Sequence, residues 1–101
     1  MTVVTSILVI GHFPAYIDLA DMLEARRFSL TSDVYAGMTE AARWAANKAY
    51  LDAAIADGCI VVLATAPSGI RPGSVFEREI AYILSLGWQL VERDGRWEMV
   101  P

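Results

Sequence analysis

Cys59-Ile60-Val61-Val62-Leu63-Ala64, entered from Asp57-Gly58 and left through a Pro/Gly/Ser-rich stretch that runs from Thr65 to Ser74, is the most legible part of this chain. Its residues are apolar throughout and β-branched at the centre, the pattern of a strand buried on both faces. On its N-terminal side an alanine-rich helix is expected from Thr39-Glu40 to Ala56, closed by Asp57-Gly58. On its C-terminal side an amphipathic helix is expected from Val75 to Leu86, with Gly87 as its stop. Further out, Ser6-Ile7-Leu8-Val9-Ile10 reads as a second buried strand ending in Gly11-His12-Phe13-Pro14, with Pro14 opening a helix that carries Tyr16, Leu19, Ala20 and Leu23 on its apolar side. Phe28 to Tyr35 reads as a further strand. Trp88–Arg93 and Arg96–Val100 read as a hairpin, because Asp94-Gly95 suits a tight primed turn. The expected fold is α/β: a small doubly wound, mostly parallel sheet of four to five strands, flavodoxin-like or Rossmann-like, with a C-terminal β-hairpin.

Composition narrows the function. The chain has 101 residues, 55% of them hydrophobic and 20% charged. That supports one domain over residues 1–101 and excludes disorder. The N-terminus has neither a basic region nor a small-residue cleavage site, so no secretory signal is expected. No apolar run approaches the roughly 18 residues of a membrane span. The single cysteine, Cys59, forms no internal disulfide, which fits a cytoplasmic protein. A net charge of −4 argues against a nucleic-acid polymer as partner. A small acidic ligand held by local arginines is allowed. Mean hydropathy is +0.40, an apolar surplus from which a homo-oligomer is expected.

In open α/β sheets ligands bind beyond the carboxyl ends of the strands. The candidates therefore lie in Gly11-His12-Phe13 and in the segment leading to the last helix. Gly73-Ser74 at that helix start suits an anion, with Arg71 and Arg78 near it. Ser74-Val75-Phe76-Glu77 also fits a capping box, which would occupy the Glu77 carboxylate. Glu79 flanks the buried stripe of Phe76, Ile80, Ile83 and Leu84. The helix N-terminus is expected to favour its ionised form, as a nucleophile in glycosidic chemistry requires. An ordinary solvated glutamate is the plainer reading. His12, the only histidine, either moves a proton, holds a ligand, or hydrogen-bonds its own loop. Asp57 either caps its helix or points into the cleft, and Asp52 reads as part of a solvated face. Trp44, Trp88 and Trp97 read as core or interface. One His and one Cys far apart make no metal site, and the glycines form no dinucleotide or triphosphate loop.

Glu79-Ile80-Ala81-Tyr82-Ile83-Leu84-Ser85-Leu86-Gly87 resembles the Glu-Leu/Ile-Gly-Tyr-Ala-x-x-x-Gly segment of the nucleoside 2-deoxyribosyltransferase superfamily. Ile7-Leu8-Val9-Ile10-Gly11 followed by Phe13 is similar to that family's opening strand and glycine loop. Ile55-Ala56-Asp57 before Ile60-Val61-Val62 is similar to its Ala-Asp step into the next strand. The resemblance implies that Glu79 is the nucleophile, with Glu77 the competing register. It implies that Gly11, His12 and Phe13 line the base or sugar side, that Asp57 is among the substrate-binding residues, and that Arg71, Gly73 and Ser74 hold a phosphate. The chain departs from the pattern at Ala81, where the family has glycine, at Ala49, where its helix aspartate would fall, and at Gly73, where it has aspartate or serine.

The function expected from the resemblance is cleavage or transfer at the N-glycosidic bond of a nucleoside or nucleoside 5′-monophosphate, through a covalent glycosyl-enzyme and without cofactor. The missing helix aspartate tilts this towards hydrolysis. Its rivals are a non-catalytic nucleotide- or nucleotide-sugar-sensing module of the same fold, an NAD⁺ glycohydrolase resembling TIR domains, and a purely structural homo-oligomer associating through the hairpin from Trp88 to Val100.

Overall fold

The computed structural model describes residues 6–12, 14–28 and 32–101. Its element order is β1 (Ile7–Ile10), α1 (Ala15–Leu23), α2 (Ser32–Ala36), α3 (Glu40–Ala56), β2 (Ile60–Leu63), α4 (Val75–Ser85), β3 (Gln89–Arg93) and β4 (Arg96–Val100), with a single 3₁₀ turn at Pro67–Gly69. The fold is α/β around one four-stranded sheet of order β1-β2-β4-β3.

Only β1 and β2 run parallel, in the register Ile7–Ile60 to Ile10–Leu63. β4 enters antiparallel to β2, with Met99 opposite Val61, and β3 pairs antiparallel with β4. The sheet is mixed, and the expectation of a mostly parallel sheet is corrected. Two physical reasons account for it. The hairpin closes on Asp94 and Gly95, both at positive φ, and so must place two antiparallel strands together. Of the two, β4 carries fully buried Met99 and takes the inner position, whereas β3 presents exposed Gln89, Glu92 and Arg93 and forms the edge. The expected strand from Phe28 to Tyr35 is also corrected. Its second half is the short helix α2, and residues 29–31 lie outside the described residues. The free edge of β1 is covered instead by one residue, Arg26, whose N–H donates to Ile7 O and whose carbonyl accepts from Val9 N–H, each at 2.9 Å.

Strand alternation sorts the core onto two faces. Leu8, Ile10, Val61, Leu63 and Met99 pack with Leu51 and Ala54 of α3 and with Phe76, Ile80 and Ile83 of α4. Val9 and Val62 pack on the opposite face against Ala20 of α1. Both long helices on the first face are capped as their sequences suggest: Thr39 Oγ1 accepts from Ala42 N–H at 3.1 Å, and Ser74 Oγ from Glu77 N–H at 3.2 Å. Among the described residues no helix is long and apolar enough to cross a membrane.

Candidate functional site

Because β1 and β2 are parallel, their exits, Gly11 and Ala64, lie at one end of the sheet. The two exits touch: a Cβ placed on Gly11 would stand 2.9 Å from Ala64 Cβ. Beyond the β1 exit opens a cleft of about 770 Å³ between α1, α3 and the first turns of α4. Its wall includes Tyr16, Trp44, Phe76 and Phe28, and its charged or polar groups include Arg43, Asn47, Arg78 and Glu79.

Glu79 is 7% exposed. It does not flank the apolar stripe of α4 but lies on it, since Phe76, Glu79, Ile80 and Ile83 are the buried positions of that helix. Burial pushes its carboxyl up to about 8, while a hydrogen bond from the Asn47 side chain works in the opposite direction. The expectation that the helix N-terminus keeps Glu79 ionised is therefore corrected. Removing a carboxylate from water outweighs a dipole contribution of about 0.3–1 kcal/mol. The Tyr16 phenol is also raised, chiefly by burial; the Arg27 charge opposes this and Glu79 adds to it.

Asn47 is the site residue that the sequence analysis passed over. It is 4% exposed, and its Oδ1 has no hydrogen-bond partner. The signal lay in the spacing: Asn47, Leu51 and Ala54 share one face of α3, so a polar residue stands in a buried stripe. The position where the family pattern puts its aspartate, Ala49, is exposed. Asp52 accepts from the Tyr82 hydroxyl, outside the cleft.

The remaining candidates divide. Gly11, His12, Gly73 and Ser74 line the cleft, while Phe13 lies outside the described residues. His12 ties two loops together. Its N–H donates to Thr65 Oγ1 at 3.2 Å, and its Nε2 lies 3.1 Å from both Arg71 N–H and Gly69 O. Its ring meets Phe76 edge-on at 5.0 Å. Glu77 is a cap: its Oε1 accepts from Gly73 N–H at 3.0 Å, one residue earlier than the Ser74 N–H expected. Ser74 N–H donates to Arg71 O. The helix start thus holds an internal carboxylate, and the expected phosphate cradle from Gly73 and Ser74 N–H groups is corrected. Arg71 is not on the cleft wall; Arg78 is, its guanidinium 5.2 Å from the Trp44 ring centre. Arg43 stands 3.6 Å over the Tyr35 ring and donates to Tyr35 O. Asp57 sits at the opposite end of the sheet, where α3 enters β2, and pairs with Arg26 at 2.7 Å. Its expected place in the cleft is corrected.

Among the described residues no group of three or more His, Cys, Asp or Glu is placed to hold a metal ion. The chain matches no family model, no curated protein and no solved structure.

Proposed function

We propose that this protein cleaves the N-glycosidic bond of a nucleoside or nucleoside 5′-monophosphate with Glu79 as nucleophile. The observation that carries the reading is a buried, Asn47-bonded carboxyl in an aromatic-walled cleft at the carboxyl end of β1. Apolar and aromatic walls accept a base and a sugar face, and a few fixed polar groups orient them. The resemblance of Glu79–Gly87 to the deoxyribosyltransferase helix points to the same residue.

The Glu79 carboxylate bonds to C1′ while the C1′–N bond breaks, and the base leaves with that electron pair and takes a proton from solvent. Water then attacks C1′, which frees the sugar and returns the carboxylate and a proton. A carboxyl that is neutral in the open cleft attacks only once ionised. The ionised form is costly in that apolar surrounding and is consumed as the bond to C1′ forms, so its reactivity is raised. Arg43 and Arg78 are the cleft cations available to a 5′-phosphate. Cytoplasmic location and homo-oligomerisation belong to the same proposal. They are supported by the buried free thiol of Cys59 and by exposed Met22, Val34, Tyr35, Val75, Leu84 and Leu86.

Chromatographic detection of free base tests it, with a panel of nucleosides, 5′-monophosphates and NAD⁺. Release is expected from wild-type protein and from Glu77→Gln, and is expected to be lost in Glu79→Gln. Loss only in Glu77→Gln would reverse the register. Release confined to NAD⁺ would assign the TIR-like reaction. The burial of Glu79 also favours a second reading, a non-catalytic nucleotide-binding module, because a neutral carboxyl is a good hydrogen-bond donor. Ligand-induced melting shifts without base release would establish that one.

A further inference from the structure

We propose that His12 stabilises the leaving base: its Nδ1–H, fixed as a donor by Arg71 N–H on the other ring nitrogen, hydrogen-bonds the base where negative charge develops as the C1′–N bond breaks. The inference rests on the glycosidic reading, which puts C1′ at Glu79. Three observations carry it. His12 stands on the cleft wall shortly after β1 and is half-buried. Its Nε2 lies 3.1 Å from the Arg71 backbone nitrogen and from Gly69 O, both in the segment between β2 and α4. Its Nδ1 has no partner among the described residues, and it is not one of the two side-chain atoms, Asn47 Oδ1 and Glu98 Oε1, that are buried without one.

A ring nitrogen that carries a proton cannot accept, so Nε2 serves only one of its two neighbours. Arg71 N–H has a single hydrogen, and it is already directed at Nε2. Gly69 is exposed, and its carbonyl has a second lone pair that water can serve. Orphaned N–H groups are rarer than under-satisfied carbonyls, so the arrangement favours an unprotonated Nε2. The proton of the neutral ring is then on Nδ1. The residue is held on its other sides as well. His12 N–H donates to Thr65 Oγ1, its carbonyl accepts from Tyr16 N–H at 3.3 Å, and its ring packs edge-on against Phe76. Phe76 lies one turn before Glu79 on the buried face of α4, a rise of roughly 5 Å along the helix. A base attached to a sugar at Glu79 spans that interval. A donor fixed in advance at the place where charge develops lowers the barrier without reorganising. The proton balance is unchanged: His12 keeps its proton, and the base departs with the C1′–N electron pair and is protonated by solvent.

Ring ¹⁵N–¹H NMR reads the donor directly and needs no substrate, because His12 is the only histidine in the chain. The neutral ring should carry its proton on Nδ1; a proton on Nε2 overturns the proposal, and this arm decides even if no variant folds. The kinetic arm compares guanine nucleosides and 5′-monophosphates with their 7-methylguanine counterparts, whose base leaves uncharged and needs no such donor. A second pair sets uracil against 5-fluorouracil, the more acidic base. His12→Gln offers an acceptor to Arg71 N–H but nothing at the place of Nδ1. It should lower kcat/KM for the guanine compound on the order of 100-fold and for the 7-methyl compound no more than about threefold, with the uracil pair following in the same order. His12→Asn, whose carboxamide nitrogen can take the place of Nδ1, should retain most of the wild-type value. Equal losses on both members of a pair in His12→Gln, or none on either, overturn the proposal and leave the glycosidic reading standing. No base release by wild type from any of the four overturns both.

Discussion

At the scale of single residues three polar groups are buried among the described residues, Asn47, Glu79 and Glu98, and the first two stand together on the cleft wall. The stability consequence has a definite sign. A carboxyl held at about 8 in the fold against an ordinary 4.5 binds its proton more tightly when folded. Its contribution is therefore fully present below about pH 4.5 and is lost as pH rises through about 8, amounting to roughly 5 kcal/mol across the window. Glu79→Gln keeps the shape and an acceptor for Asn47 but never ionises. Its melting temperature should exceed that of wild type by a margin that widens by on the order of 10 °C between pH 5 and pH 9, read by thermal denaturation. A constant margin would show that Glu79 is solvated. The same value fixes the activity profile. If the ionised form attacks, kcat/KM should rise with pH and level off above about 8; a falling profile would make Glu79 a proton donor instead. Little of this was legible beforehand. Glu79 was distinguishable from Glu77 because Ser74-Val75-Phe76-Glu77 has the capping spacing, which the structure shows in use. Its burial was not, because a glutamate beside an apolar stripe and one within it differ by a fraction of a helical turn.

At the scale of elements the helices were the readable part, since caps and periodicity are local. Thr39, Ser74 and Gly87 stand at the ends expected for α3 and α4. Ser74→Ala removes the acceptor for Glu77 N–H and should cost about 1 kcal/mol in denaturant unfolding, with kcat/KM little changed. The junction of β1 and β2 is less forgiving. In Gly11→Ala the new Cβ meets Ala64 Cβ at 2.9 Å and Thr65 Oγ1 at 3.3 Å. The strand exits must separate, so a loss of about 1–3 kcal/mol is expected, together with weaker ligand binding, because His12 and Thr65 follow directly. Unchanged stability there would mean that the two exits are not packed as described. What misled at this scale was Phe28–Tyr35. Alternation of apolar and polar residues over so short a stretch does not separate a strand from one turn of helix, and Ser32–Ala36 took the helix.

At the scale of the whole molecule, strand direction was the property least written in local sequence. The hairpin was visible in Asp94-Gly95, but its place in the sheet depends on which strand offers the better buried face, and that is a contest between Met99 and Trp97 on β4 and the polar residues of β3. The same topology separates the candidate residues into two ends. Asp57, paired with Arg26 at the strand entries, lies at the other end of the sheet from the cleft at the exits. Asp57→Asn should shift stability by no more than about 1 kcal/mol, as for other exposed ion pairs, and leave base release within about twofold of wild type. A large loss of turnover would place the site at the wrong end of the sheet. The nucleophilic role proposed for Glu79 requires a covalent bond between its carboxylate and the sugar. Its most direct measurement is intact-protein mass spectrometry on samples quenched during turnover, with peptide mapping of the product. A pentosyl adduct on Glu79 is expected in wild type, and neither adduct nor base release in Glu79→Gln. Base release at an undiminished rate by Glu79→Gln, with Glu79 unmodified in wild type, would contradict it.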